Sequence, residues 1–209
     1  GLTKEKICNL LECYSKNSKF GYGVADLKKD CGIDFEWQKI PDGKFLMGSG
    51  YTQTDKELPD PEYFGVSKHG ANRPADFDNE LPQHKLFLAK YQISKTAVTN
   101  AQYEIFKKAT NYPVSGHWPE GVVTPELANH PVVYVDSADV QAFCDWAGVA
   151  LPTEPQWERA ARGIDGRIWP WGNFPPNKEL ANYGQTDKTG RTNSVGFYPA
   201  GASPDGLLD

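Results

Sequence analysis

No stretch of this sequence approaches the roughly 18 consecutive apolar residues that a membrane-spanning helix needs, so no helical span is expected. The N-terminus shows no apolar signal-peptide core, although a processed start at Gly1 would hide one. A cytoplasmic location is therefore the expectation. Excess basic charge is also missing. Lys and Arg number 22 against 27 Asp and Glu, a net charge of -5, which argues against a nucleic-acid surface built on clustered cations.

Cysteine is scarce, with Cys8, Cys13, Cys31 and Cys144 the full set. They form neither a C-x-x-C pair nor a Cys/His zinc pattern. Reduced, structural thiols are the first reading, and a disulfide of Cys8 or Cys13 with Cys31 is the second. The four histidines, His69, His84, His117 and His130, are scattered along the sequence, so a histidine metal site is not the expectation. No nucleophile elbow, phosphate loop or Walker pattern occurs.

Turn formers and aromatics are abundant instead. There are 20 Gly, 16 Pro and six Trp, so many turns and few long regular elements are expected around a packed core. Residues 3–17 read as an amphipathic helix carrying Ile7, Leu10, Leu11 and Tyr14, part of an N-terminal extension over 1–34 that packs on the main domain or a partner. Trp37, Ile40, Phe45 and Met47 frame an expected hairpin turning at Pro41-Asp42-Gly43. Residues 51–80 form an acidic, Pro-containing surface insertion. Leu86, Leu88, Tyr91 and Ile93 make a strand pattern.

Thr99-Asn100-Ala101-Gln102 is a capping box that opens a helix with Tyr103 and Phe106 on one face. Residues 131–135 read as a short strand. Asp136 or Ser137 caps a second helix, which buries Val140, Phe143 and Ala147 and stops at Gly148. Thr153 opens a third, with Gln156 reciprocal and Gly163 at its end. One more apolar strand is expected over 195–198.

The third helix lies in Leu151-Pro152-Thr153-Glu154-Pro155-Gln156-Trp157-Glu158-Arg159-Ala160-Ala161-Arg162-Gly163, followed by Trp169-Pro170-Trp171-Gly172. Around it stand Phe45-Leu46-Met47-Gly48, Glu80-Leu81-Pro82-Gln83-His84, the run from Ile93 to Tyr103, His130-Pro131-Val132-Val133, Ala142-Phe143-Cys144-Asp145-Trp146-Ala147, Ala181-Asn182-Tyr183, Val195-Gly196-Phe197-Tyr198-Pro199 and Asp205-Gly206-Leu207-Leu208-Asp209. In this order they resemble the formylglycine-generating-enzyme, or sulfatase-modifying factor, family. The resemblance covers roughly 35–209 and implies an α+β, C-type-lectin-like fold with short helices and small antiparallel sheets. By it, 35–209 is one domain truncated at its C-terminal end.

Trp157, Trp169 and Trp171 are expected to fill the core of this loop-rich fold. Glu154, Glu158, Arg159 and Arg162 are expected to tie its loops together through buried or half-buried ion pairs; a substrate cleft lined by them is the alternative. The resemblance implies a structural Ca2+ at Asn182, Tyr183, Asp187 and Thr189. Asn182 and Asp187 would give side-chain oxygens and Tyr183 and Thr189 carbonyls, a hard-oxygen set suited to that ion. An ordinary Asx turn is the alternative.

The family's enzymes use a copper-binding cysteine pair that lies beyond the position matching Asp209. No catalytic residue is therefore assigned, and copper is expected only if such a pair exists elsewhere. Cys8 and Cys13, with four residues between them on a helix, are read as coincidence.

Two functions follow: a non-catalytic binding or structural scaffold for a protein or peptide ligand, or the N-terminal part of a copper-dependent oxidase converting a peptidyl cysteine to formylglycine. A ligand-displaying variable protein of a diversity-generating retroelement is a third form. A complementing C-terminal segment or partner chain is expected to cover Trp-rich surface.

Overall fold

The computed structural model describes residues 35–49, 80–113, 118, 121–183 and 191–208. The expected helix over 3–17, Cys8, Cys13, Cys31, the insertion over 51–79, His69 and His117 lie outside them.

The described residues open with four strands: β1 (Trp37–Ile40), β2 (Gly43–Met47), β3 (His84–Leu88) and β4 (Tyr91–Ser94). The expected hairpin across Pro41-Asp42-Gly43 does not form. β1 pairs antiparallel with β4, and β2 with β3. Trp37 stands opposite Ser94, Ile40 opposite Tyr91, Gly43 opposite Leu88 and Met47 opposite His84, so one register runs through both pairs. Residues 37–47 and 84–94 thus make one two-stranded ribbon interrupted in the middle. Pro41 carries no N–H for the ladder and marks the interruption. The longer partner wins because it sets Phe45 against Leu86 and Ile40 against Tyr91, an apolar match that a tight turn at 41–43 could not supply.

Ile40 and Phe45 are 1% and 2% exposed, yet five residues apart. Strand side chains alternate with period two, so residues an odd number apart point to opposite faces. The ribbon accordingly buries one face in its β1/β4 half and the other in its β2/β3 half. Beyond Met47, Ser49 N donates to Glu80 O at 3.0 Å and Ser49 Oγ donates to Glu80 Oε2 at 2.6 Å. The chain leaves for the insertion and returns from it at this contact.

Helix α1 (Asn100–Thr110) opens with the expected box. Gln102 N donates to Thr99 Oγ1 at 3.3 Å, and Thr99 N donates to Gln102 Oε1 at 2.9 Å. Asn111 ends it in the left-handed region. Helix α2 (Ser137–Ala147) is capped by Asp136, whose carboxylate accepts from Ala138 N and Asp139 N, and it stops at left-handed Gly148. Phe143 and Ala147 meet Tyr103 and Phe106 of α1 in the main core, with Trp118 beside them. Tyr103 stacks on Phe143 with ring centroids 5.7 Å apart. Burying each such ring contributes about 1.5–3 kcal/mol. The Trp118 indole N–H donates to buried Asn100 Oδ1 at 3.0 Å, and Asn100 Nδ2 donates to Leu127 O at 2.9 Å, so the core's polar atoms are paired.

Two expected strands are absent. In 131–135 only Pro131 forms a bridge, to Thr99. Tyr134 at φ 57 then breaks the extended run. At 195–198, Gly196 at φ 75 and Phe197 N donating to Ser194 O at 3.2 Å make a turn instead. In the first segment Val132 and Val135 still pack against the core from irregular backbone. The architecture is α+β, with short helices and a small antiparallel ribbon.

Candidate functional site

Helix α3 (Glu154–Arg162) is the centre of the site. Its first turn carries Pro155, where a missing N–H costs nothing, and Thr153 N donates to Gln156 Oε1 at 2.9 Å. Gly163, at φ 72, ends it. A Cβ on Gly163 would come 2.7 Å from Pro204 Cγ, so the helix end and the turn at 203–207 fit together only through glycine.

The helix's charged residues are spent on the scaffold. Glu158 Oε1 accepts from Gly48 N at 2.8 Å and from Arg162 Nη1 at 2.5 Å. Arg162 also donates to Arg167 O at 2.6 Å, and to Gly48 O and Gly166 O at 3.3 Å each. One guanidinium therefore joins the helix, the end of β2 and the 163–167 turn. Arg159, 6% exposed, forms an ion pair with Asp205. Ser203 N donates to Leu207 O at 2.9 Å and Leu208 N to Lys95 O at 2.8 Å, binding the same segment to the end of β4. Tyr91 of β4 donates its hydroxyl to Gln156 O at 2.6 Å. Burial, opposed by nearby Arg159, pushes that hydroxyl's pKa up to about 12. Removing one partner from such half-buried pairs costs more than making the pair gains, because the other charge stays desolvated.

Trp157 is a correction. It was expected in the core, but it is 62% exposed, while Arg159 and Ala160 take the inward side of the helix. The reason is geometric: the short helix buries the face bearing Arg159 against Asp205, and Trp157 lies off that face. Trp169 and Trp171 are half-buried, with parallel rings whose centroids lie 5.7 Å apart. Asp165 is held down to about 2 by its hydrogen bonds from Arg167.

Of the expected calcium ligands, Asn182 and Tyr183 are described, and Asp187 and Thr189 lie outside the described residues. Asn182 Nδ2 donates to Arg191 O at 2.8 Å. Tyr183 donates its hydroxyl to Pro176 O at 3.1 Å. His130 Nδ1 lies 2.8 Å from Thr192 Oγ1, and His84 Nδ1 lies 3.0 Å from Pro82 O. Cys144 is buried, and burial pushes its thiol up. No helix among the described residues is long and apolar enough to cross a membrane.

Sequence reasoning missed Gly48 as the hub for Glu158, Arg162 and Gln83, whose Nε2 donates to Gly48 O at 3.2 Å. It also left Asp205 without its partner. Both stood inside quoted motifs, but only the fold pairs them.

The short helices, the small ribbon and the loops clamped around α3 define an α+β fold of the C-type-lectin-like, formylglycine-generating-enzyme type. Residues 36–209 match the sulfatase-modifying factor enzyme 1-like domain, and the chain belongs to that family. Hercynine oxygenase of Mycobacterium tuberculosis is 31% identical over 174 residues, covering 68% of this chain and 40% of the relative. Formylglycine-generating enzyme of Streptomyces coelicolor is 32% identical over 176 residues, covering 65% and 50%. The chain thus spans half or less of the length of these two relatives. The structure of PvdO from Pseudomonas aeruginosa superimposes with a TM-score of 0.56 at 24% identity, covering 83% of this chain and 66% of that one, a likeness of fold.

Proposed function

We propose that residues 36–209 act as a binding and structural scaffold of the formylglycine-generating-enzyme type, offering its surface to a protein or peptide ligand and not catalysing a reaction alone. The observation that carries this reading is the commitment of Arg159, Glu158 and Arg162 to Asp205, Gly48 and the 163–167 turn. The most distinctive motif of the chain holds loops in place. A structural Ca2+ at Asn182, Tyr183, Asp187 and Thr189 belongs to the same proposal. Asn182, whose Nδ2 donates to Arg191 O, supports it with an amide oxygen of the hard type that the ion takes.

The test is oxygen consumption by the 209-residue chain with copper(I) and a peptide containing Cys-x-Pro-x-Arg. No turnover and no tight stoichiometric copper(I) site are expected. Turnover would establish the oxidase reading that formylglycine-generating relatives suggest.

A further inference from the structure

The ribbon carries charge opposite to the rest of the chain. Residues 37–47 and 84–94 hold Lys39, Lys44, Lys85 and Lys90 against the single carboxylate of Asp42, in a chain of net charge -5. In the β2/β3 half the paired positions Lys44 with Phe87 and Leu46 with Lys85 share the outward face, because Phe45 and Leu86 take the inward one. Lys44 and Lys85 are exposed, and Phe87 is 57% exposed. Among the described residues neither lysine makes an ion pair, and no backbone hydrogen bond reaches the outer edge of β3. Leu46 is covered on one side by the turn at Gly166, which closes one flank of this face, and no such cover reaches the β3 side among the described residues.

We propose that the β3 edge receives an extended acidic peptide as an added strand. Open strand edges pair with extended chains through their backbone groups, and side chains on alternate positions then set selectivity. A residue laid beside β3 has its Cβ about 4.5–5.5 Å from its neighbour's. An acidic side chain would therefore meet Lys85, and an apolar one two residues away would meet Phe87. Lys44, opposite Phe87, adds a second positive charge to the same face. The recognised pattern is acidic-x-apolar in an extended segment. Two lysines release few counterions from a phosphate backbone, and the chain as a whole is acidic, so a peptide and not a nucleic acid is the occupant. This inference rests on the scaffold reading and names its ligand class and docking edge.

The experiment is a fluorescence-anisotropy titration of the full chain at low ionic strength. The probe is a labelled peptide Ser-Glu-Ser-Phe-Ser-Glu-Ser. Saturable binding that weakens with added salt is expected. K44E/K85E should weaken it at least ten-fold and create binding of the peptide with Lys in place of Glu. F87S should weaken it without changing the salt dependence. Alternate N-methylation of the peptide backbone should abolish it.

Absence of saturable binding, equal affinity of K44E/K85E, or tighter binding of a labelled oligothymidylate would each overturn the proposal. K44Q/K85Q serves if the charge reversal disturbs folding by circular dichroism. Peptide binding and oxygen consumption are separate readouts, so either proposal can fail while the other stands.

Discussion

Glu158 accepts a hydrogen bond from Gly48 N at 2.8 Å across 110 residues of sequence. Arg162, one turn further along the helix, donates to that carboxylate and to the Gly48 carbonyl. Glu158→Ala removes the acceptor for both and leaves a half-buried guanidinium. A loss of about 2 kcal/mol is expected in chemical denaturation, with Glu158→Gln losing about half as much. Equal stability of parent and Glu158→Ala would show the node to be ornamental.

Gly48 itself tolerates no side chain. Its φ is 86, and a Cβ would lie 2.3 Å from Glu80 O. Gly48→Ala should cost about 2 kcal/mol through overpacking against backbone. Gly206→Ala, where nothing lies within 4 Å, should cost less and separates the steric effect from conformational strain. Ranking the two by thermal melting checks the point.

Arg159 and Asp205 should behave as a coupled pair. In a double-mutant cycle with Arg159→Met and Asp205→Asn, an interaction energy of about 1–3 kcal/mol is expected. Additive losses would mean that the ion pair does not anchor the 203–207 turn.

Alkaline stability should report Tyr103. Burial and the carboxylate of Asp139 push its hydroxyl up to about 12 from the ordinary 10. A folded pKa above the unfolded one gives stability that is whole below pH 10 and lost as pH rises toward 12, since the unfolded chain sheds the proton first. Tyr103→Phe keeps the stacking on Phe143 and should make this decline shallower, leaving the part that Tyr91 contributes. Denaturation midpoints measured at intervals between pH 9 and pH 12 (the window set by the two pKa values) decide it, and parallel declines in both proteins would contradict the assignment.

Calcium should raise the melting temperature and a chelator should lower it. At calcium about 100-fold above Kd the gain is about 2.7 kcal/mol. Asp187→Asn should reduce the response strongly. Calorimetry showing no heat and no shift would remove the site.

Local chemistry was readable in the sequence wherever one short segment decides the outcome. Thr99 with Gln102, Asp136 with Gly148, and Thr153 with Gly163 carry the boundary signals of the three helices among the described residues, so those three were placed. The hairpin at Pro41-Asp42-Gly43 failed because two strand lines competed for the same partner, and the winner lay some forty residues away. Apolar character in 131–135 and 195–198 suggested strands, but Tyr134 and Gly196 adopt positive φ, and Tyr134 and Phe197 are exposed. Trp157 failed for a related reason: composition says that tryptophan belongs inside, while the orientation of α3 is fixed by Arg159 and Asp205. The scaffold role of Arg162 was legible as an expectation of ion pairing, but its backbone partners at Gly48, Gly166 and Arg167 carry no side-chain signature. For the calcium ligands, only Asn182 and Tyr183 are described.

The contact between Ser49 and Glu80 acts as a doorway. The chain leaves and returns through one pair of residues, held by a backbone and a side-chain hydrogen bond. The ribbon therefore begins from an end that is already fastened, one step beyond the pairing of Met47 with His84.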